Sequence, residues 1–216
     1  MLDYYCERCG PGLWAEPLNA TSNLAFFVAA LAAWRLARRL RAMTAGAATL
    51  IGLAAAVGVG SALFHTFATP WANVADLAPI LAFQLAFLWL YLRHAARLGT
   101  RPAAALVATH AVTCVLMVFL PPYFNGSVLY APTLVVLIGL ATYHARTGQP
   151  GRWTLAAAAG VFCASLAFRS IDELICPSFP YGTHFLWHLL NGILLYLAMR
   201  AIILTAGADP GRTPGG

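Results

Sequence analysis

Seven apolar stretches, each about as long as a membrane-crossing helix, dominate this chain and leave few architectures open. They run roughly over 21–40, 44–67, 74–92, 102–120, 127–144, 153–171 and 183–204. A helix needs about 20 mostly apolar residues to cross the ~30 Å hydrocarbon core of a bilayer. Breakers separate the stretches: Thr69-Pro70, Pro121-Pro122, Asn125-Gly126, the run Gly148-Gln149-Pro150-Gly151, and Pro177 with Pro180. No internal repeat is evident. The pattern predicts an all-α membrane protein built as one bundle of seven transmembrane helices over 20–205. A segment outside the membrane over 1–19 precedes it, and a disordered tail over 206–216 follows.

Composition excludes the soluble alternative. Hydrophobic residues make up 61% of the chain and charged ones 9%, against about a quarter charged in a soluble domain. The net charge of +6 comes entirely from arginine, since the chain has no lysine. Those arginines fall mostly in short connections, which is the signature of membrane topology and not of nucleic-acid binding. Arg35, Arg38, Arg39 and Arg41 surround the first connection. Arg93, Arg97 and Arg101 mark the third, Arg146 and Arg152 the fifth, and Arg200 and Arg212 follow the last span. Connections two, four and six have none. The positive-inside rule therefore places the N-terminus outside and the C-terminus in the cytoplasm. Residues 1–19 lack a basic region followed by an apolar core, so the first span is expected to act as its own insertion signal. An Ala- and Arg-rich, lysine-free composition suits a GC-rich bacterial genome and an inner-membrane location.

This topology gathers polar residues at one end. His65 closes the second span and Asp76 opens the third across an outside connection. Asp172 and Glu173 end the sixth, and His184 and His188 begin the seventh, again outside. Glu7 and Glu16 lie on the N-terminal segment. Ionisable residues within membrane helices cost at least ~2.5–3.5 kcal/mol each and persist where they are paired or functional. His184 and His188 stand four apart, on one helix face, where both rings can grip one ion. His65 adds a third imidazole at the same depth. Three imidazoles with an open position suit a catalytic zinc, whereas four protein ligands would suit a structural one. Ser61 lies one turn before His65. It reads either as a site hydroxyl or as a small residue allowing close helix contact, like Gly58 and Gly60. Asp76 reads as a general base or as a partner orienting a ligand. Ser22, with Asn19 and Asn23, is expected to cap the first helix. His94 and His144 are expected beside the inner arginines and His110 in packing.

At these residues the sequence resembles the alkaline ceramidase family, within the wider group of seven-helix membrane hydrolases that includes the adiponectin and progestin receptors. The matching stretches are Tyr5-Cys6-Glu7, Glu16-Pro17-Leu18-Asn19-Ala20-Thr21-Ser22-Asn23, and Gly60-Ser61-Ala62-Leu63-Phe64-His65. Asp76-Leu77-Ala78-Pro79, Arg169-Ser170-Ile171-Asp172 and His184-Phe185-Leu186-Trp187-His188 complete the set, in the family's order over almost the whole chain. The resemblance implies that His65, His184 and His188 are zinc ligands, that Asp76 handles protons, and that Ser61 steadies the oxyanion. It also implies a disulfide between Cys6 and Cys176, both outside, where oxidation permits bridging; Cys9 is a competing partner, and Cys114 and Cys163 are apolar helix residues. A calcium ion is implied near the N-terminus, on Glu7 and Glu16 with Asp3 as a further carboxylate. Cys9 stands where the family has asparagine, and Leu77 where members often have glutamate.

The expected activity is hydrolysis of an N-acyl sphingoid lipid to a fatty acid and a long-chain amine, with a membrane lipid as the only partner and the oligomeric state open. Three rival readings remain. One is a zinc hydrolase of another acylated lipid, and the second is a receptor-like or structural bundle stapled by zinc. The third, a transporter, would show inverted repeats or broken helices, and neither is seen.

Overall fold

The computed structural model describes residues 2–208. It is all-helical among these residues, with seven helical segments long and apolar enough to cross a membrane. A short helix α1 (Pro17–Ser22) continues across a bend at Asn23 into α2 (Leu24–Arg39). Then follow α3 (Ala45–Phe67), α4 (Pro70–Leu90), α5 (Thr100–Met117), α6 (Ala131–Arg146), α7 (Thr154–Ile171) and α8 (His184–Gly207).

Several boundaries differ from the expected ones, each for a local reason. Pro70 does not break the chain before the third span but begins it, because a first-turn proline lacks only an N–H that would have had no helical partner. Asp76 consequently sits in the second turn of α4. That span also runs on to Ala95 through a π-helical turn, Tyr91–Ala95. The first span starts at Pro17, inside the expected N-terminal segment. At the other end Ala206 and Gly207 are still helical, so α8 enters the expected tail. Positions 209–216 of that tail lie outside the described residues.

The spans pack as a ring in sequence order, α2 against α3 and so on to α7 against α8, and α8 closes the ring on α2. Small residues permit the close approaches, as in membrane bundles generally. Ala29, Ala30, Ala33 and Ala37 of α2 are buried. At Gly192 of α8 a Cβ would lie 2.8 Å from the Ala25 Cβ and 2.9 Å from the Ala25 carbonyl oxygen.

Residues 2–16 fold over the end of the ring where α3 stops and α8 starts. Leu2 donates its N–H to the Ala68 carbonyl at 2.7 Å, and Tyr5 packs with Phe64 and Ala72. A disulfide joins Cys6 to Cys176. Beside it, buried Asp172 accepts the N–H groups of Cys6 (3.0 Å), Thr183 (2.6 Å) and His184 (2.8 Å). One carboxylate thus satisfies orphan donors at the start of α8 and pins the N-terminal segment there. The turn leading into α8 needs Gly182: its φ is +62°, and a Cβ would come within 2.7 Å of the Cys6 Cβ.

Candidate metal centre

α3 places Ser61 and His65 one turn apart near its end, and the first turns of α8 bring His184 and His188 opposite them. All three histidines are buried, and one potential ligand atom from each lies within 4.8 Å of the others. His65 Nε2 and His188 Nε2 are 3.1 Å apart. Two imidazoles bound to one tetrahedral zinc at about 2.0–2.1 Å would hold their nitrogens about 3.3 Å apart.

The hydrogen bonds behind the rings assign the tautomers. The Ser22 hydroxyl donates its one proton to the Asn19 carbonyl (2.9 Å), so it accepts from His188 Nδ1 at 2.7 Å. His65 Nδ1 faces a Glu16 carboxylate oxygen at 2.5 Å and donates to it. With both Nδ1 atoms protonated, both Nε2 atoms turn bare lone pairs toward each other. A cation between them resolves that repulsion. His184 is held differently: its ring stacks on Tyr5, centroids 3.6 Å apart, and its Nδ1 is buried without a hydrogen-bond partner. The residues present therefore fit a metal ion.

Around the three histidines stand two groups suited to chemistry. Ser61 Oγ lies 3.4 Å from His188 Nε2. Asp76 reaches the same space from α4 because Gly60 lets the helices touch; a Cβ there would overlap the Ala75 carbonyl and sit 3.2 Å from the Asp76 Cα. One Asp76 carboxylate oxygen, Oδ1, is buried and has no hydrogen-bond partner. Ser61, Asp76 and His188 line the end of a mostly apolar, partly open cavity of about 90 Å³ that runs down between α4, α6 and α8.

Several expectations are corrected. Ser22 does not cap the first helix; it holds a histidine. His144 lies in the last turn of α6 with Arg146, but it is buried and hydrogen-bonded with the Tyr91 hydroxyl at 2.9 Å. His94 is exposed, and His110 packs beside Cys114, with 3.6 Å between its Nε2 and the sulfur. Asp3, Glu7 and Glu16 do not gather as a trio of ligand atoms; among the described residues the three histidines are the one such group of His, Cys, Asp or Glu side chains. Asp3 is exposed. The Glu7 carboxylate accepts the N–H groups of Leu18 (2.7 Å) and Asn19 (2.8 Å). Burial lifts the Glu7 carboxyl above its ordinary value despite those two amides. Glu16 faces His65, Asn19 and the guanidinium of Arg8. Arg8 is buried and also donates to the His65 carbonyl at 2.8 Å. The two carboxylates on which the calcium expectation rests are thus already engaged by protein donors, Glu16 by a guanidinium and Glu7 by two amides. Burial would raise the Glu16 carboxyl, but the hydrogen bonds from His65, Asn19 and Arg8 outweigh it and hold it below its ordinary value.

Four contributors were not anticipated from the sequence: Glu16 as the partner of His65, Ser22 as the partner of His188, the stacked Tyr5, and Arg169. Arg169 donates to the Tyr5 hydroxyl at 2.8 Å and lies 5.3–5.5 Å from the ring centres of Tyr5, Tyr130 and Trp187. An acidic residue and a hydroxyl just before an apolar span were the available signals, because such groups persist at a membrane boundary only with a partner.

A family model described as Ceramidase matches residues 5–213. No curated protein matches the chain.

Proposed function

The chain belongs to the ceramidase family, and on that premise we propose that it hydrolyses the amide bond of an N-acyl sphingoid lipid within the bilayer, with zinc held by His65, His184 and His188. The observation that carries this reading is the pair of imidazole nitrogens 3.1 Å apart, bordered by a hydroxyl and a carboxylate with one unpartnered oxygen. A bound zinc supplies Lewis acidity, lowering the pKa of water toward about 7 and polarising a carbonyl.

The chain's own residues do the rest. Glu16 and Ser22 fix the rings of His65 and His188 by their Nδ1 hydrogens, the partner arrangement that raises ligand basicity. Asp76 Oδ1, free of any protein donor, takes a proton from the attacking water. The water oxygen bonds to the amide carbon, and the carbonyl oxygen gains negative charge. Ser61 Oγ donates to that oxygen, stabilising charge as it develops. Asp76 then returns the proton to the nitrogen as the carbon–nitrogen bond breaks, releasing a fatty acid and a long-chain amine. The apolar cavity below shelters hydrocarbon chain and keeps bulk water away.

Two features favour chemistry over a zinc staple. A three-histidine staple needs neither Ser61 nor Asp76, and it needs no cavity beside the ligands. The arginine-rich connections lie at the opposite end of the ring, so the reading places the site at the outer face of a bacterial inner membrane. The test is to incubate detergent-solubilised protein with a panel of N-acyl and O-acyl lipids and detect released fatty acid by mass spectrometry. Release from N-acyl sphingoid lipids that stops when zinc is removed and returns with zinc supports the proposal; release from none of the panel overturns it.

A further inference from the structure

The cavity below the metal site is not apolar throughout. At its far part three polar side chains from three helices line the wall: Gln84 of α4, His110 of α5 and Thr133 of α6. The Thr133 hydroxyl donates to the Gln84 amide oxygen at 2.9 Å, and the Cys114 sulfur reaches the same oxygen at 3.8 Å. His110 is buried, and its hydrogen-bonding contacts are to the Cys114 sulfur, at 3.6 and 3.8 Å. The Gln84 amide nitrogen has no hydrogen-bond partner among the described residues, yet it lines a space surrounded by Phe83, Phe87 and Leu137. A primary amide in hydrocarbon with unused donors costs roughly 1–3 kcal/mol on mutational scales. Helix packing alone does not need that exposure, since the amide oxygen already ties α4 to α6.

We propose that Gln84, Thr133 and His110 form a binding niche for a hydroxyl group part-way along a lipid chain of the substrate. A hydroxyl fits because it both donates and accepts, and so complements an amide and an imidazole together. The depth follows from the helix. Gln84 lies eight residues beyond Asp76 on α4, which is about 12 Å at 1.5 Å per residue. With carbon–carbon bonds of about 1.5 Å in a zigzag, this is roughly ten chain atoms from the scissile amide. The niche thus selects chains oxygenated near their middle over plain chains and over chains hydroxylated beside the amide. This deepens the hydrolase reading above and rests on it for the identity of the substrate, while the niche itself is testable by binding alone.

The experiment uses the full-length purified protein in detergent and measures displacement of radiolabelled octadecanoate. The competitors are octadecanoic acid, a hydroxyoctadecanoic acid with its hydroxyl near the middle of the chain, and one with its hydroxyl next to the carboxyl. A parallel arm uses long-chain amines of the same three kinds, which tells whether the acyl chain or the amine chain enters the niche. In either arm the mid-chain hydroxyl is expected to bind roughly five- to tenfold more tightly than the plain chain, the worth of about one hydrogen bond. The Gln84→Leu protein should lose that preference, and the Thr133→Val protein should weaken it, serving also where Gln84→Leu folds poorly. Equal affinity for plain and mid-chain-hydroxylated probes in both arms, or a preference that survives both substitutions, overturns the niche. Retained preference in a protein that hydrolyses no acyl lipid supports the niche and removes the hydrolase reading instead.

Discussion

Glu16 meets His65 Nδ1 at 2.5 Å, so a carboxylate from the N-terminal segment orients a ring forty-nine residues away on α3. Arg8 closes on the other oxygen of the same carboxylate. Replacing Glu16 with glutamine removes the charge but keeps the shape. Partners of this kind typically contribute 10–100-fold in metal affinity, and a loss of about that size is expected in zinc competition against a chromogenic chelator. An affinity equal to wild type would show that the carboxylate does not act through the histidine.

His188→Ala should abolish stoichiometric zinc, because it removes one of the two facing Nε2 atoms. Ser22→Ala should leave the stoichiometry intact and lower affinity by a smaller factor, since only the ring's anchor is lost. Metal content by plasma mass spectrometry on both proteins checks the order. Full zinc in His188→Ala defeats the ligand assignment.

Asp76→Asn keeps size and polarity but cannot take a proton, so turnover should vanish while bound zinc stays. Ser61→Ala should slow turnover less completely, by roughly 10²–10³-fold if its hydroxyl is a main oxyanion donor. Fatty-acid release by the two variants, beside their metal content, separates chemistry from assembly. Wild-type rates in Asp76→Asn would end its role as base.

Gly60 is the contact that lets α4 deliver Asp76. Gly60→Ala must push α3 from the Ala75 carbonyl, at a cost of about 1–3 kcal/mol for overpacking. A lower Tm and lost turnover are expected together, whereas Gly52→Ala, where a Cβ meets nothing within 4 Å, should change neither. An unchanged Tm in Gly60→Ala would show that the helices can separate freely.

Added calcium should not stabilise the protein. A ligand present at a hundred times its Kd contributes about 2.7 kcal/mol, which a thermal melt detects easily. With Arg8 seated between Glu16 and the His65 carbonyl, no shift is expected at millimolar calcium. A clear rise in Tm would mean that the guanidinium yields its place.

The seven spans were legible because length and hydropathy alone decide them in a bilayer. The histidine trio was legible because i,i+4 spacing and topology place rings at one depth, and Ser61 and Asp76 followed from the same end of the bundle. What the spacing did not carry is how the rings are held. Ser22 and His188 are 166 residues apart, and no periodicity links them; a hydroxyl near a helix start resembles an ordinary cap until the fold brings α8 beside it. The calcium expectation rests on a similarly partial pattern. Carboxylates read alone suggest an ion, but a neighbouring arginine in the same short segment can supply the charge instead. Gln84, one amide in an apolar span, carries no pattern of its own.

The closure of the ring by α8 on α2 also has a bearing on biosynthesis. Ribosomes deliver Glu16, Ser22 and His65 early, while His184 and His188 arrive only with the final span. An ion captured by one imidazole during insertion has no second grip, so loading waits for the whole polypeptide. On the proposed reading, a product truncated before that span would be left inert, and metal uptake would act as a checkpoint on completed synthesis.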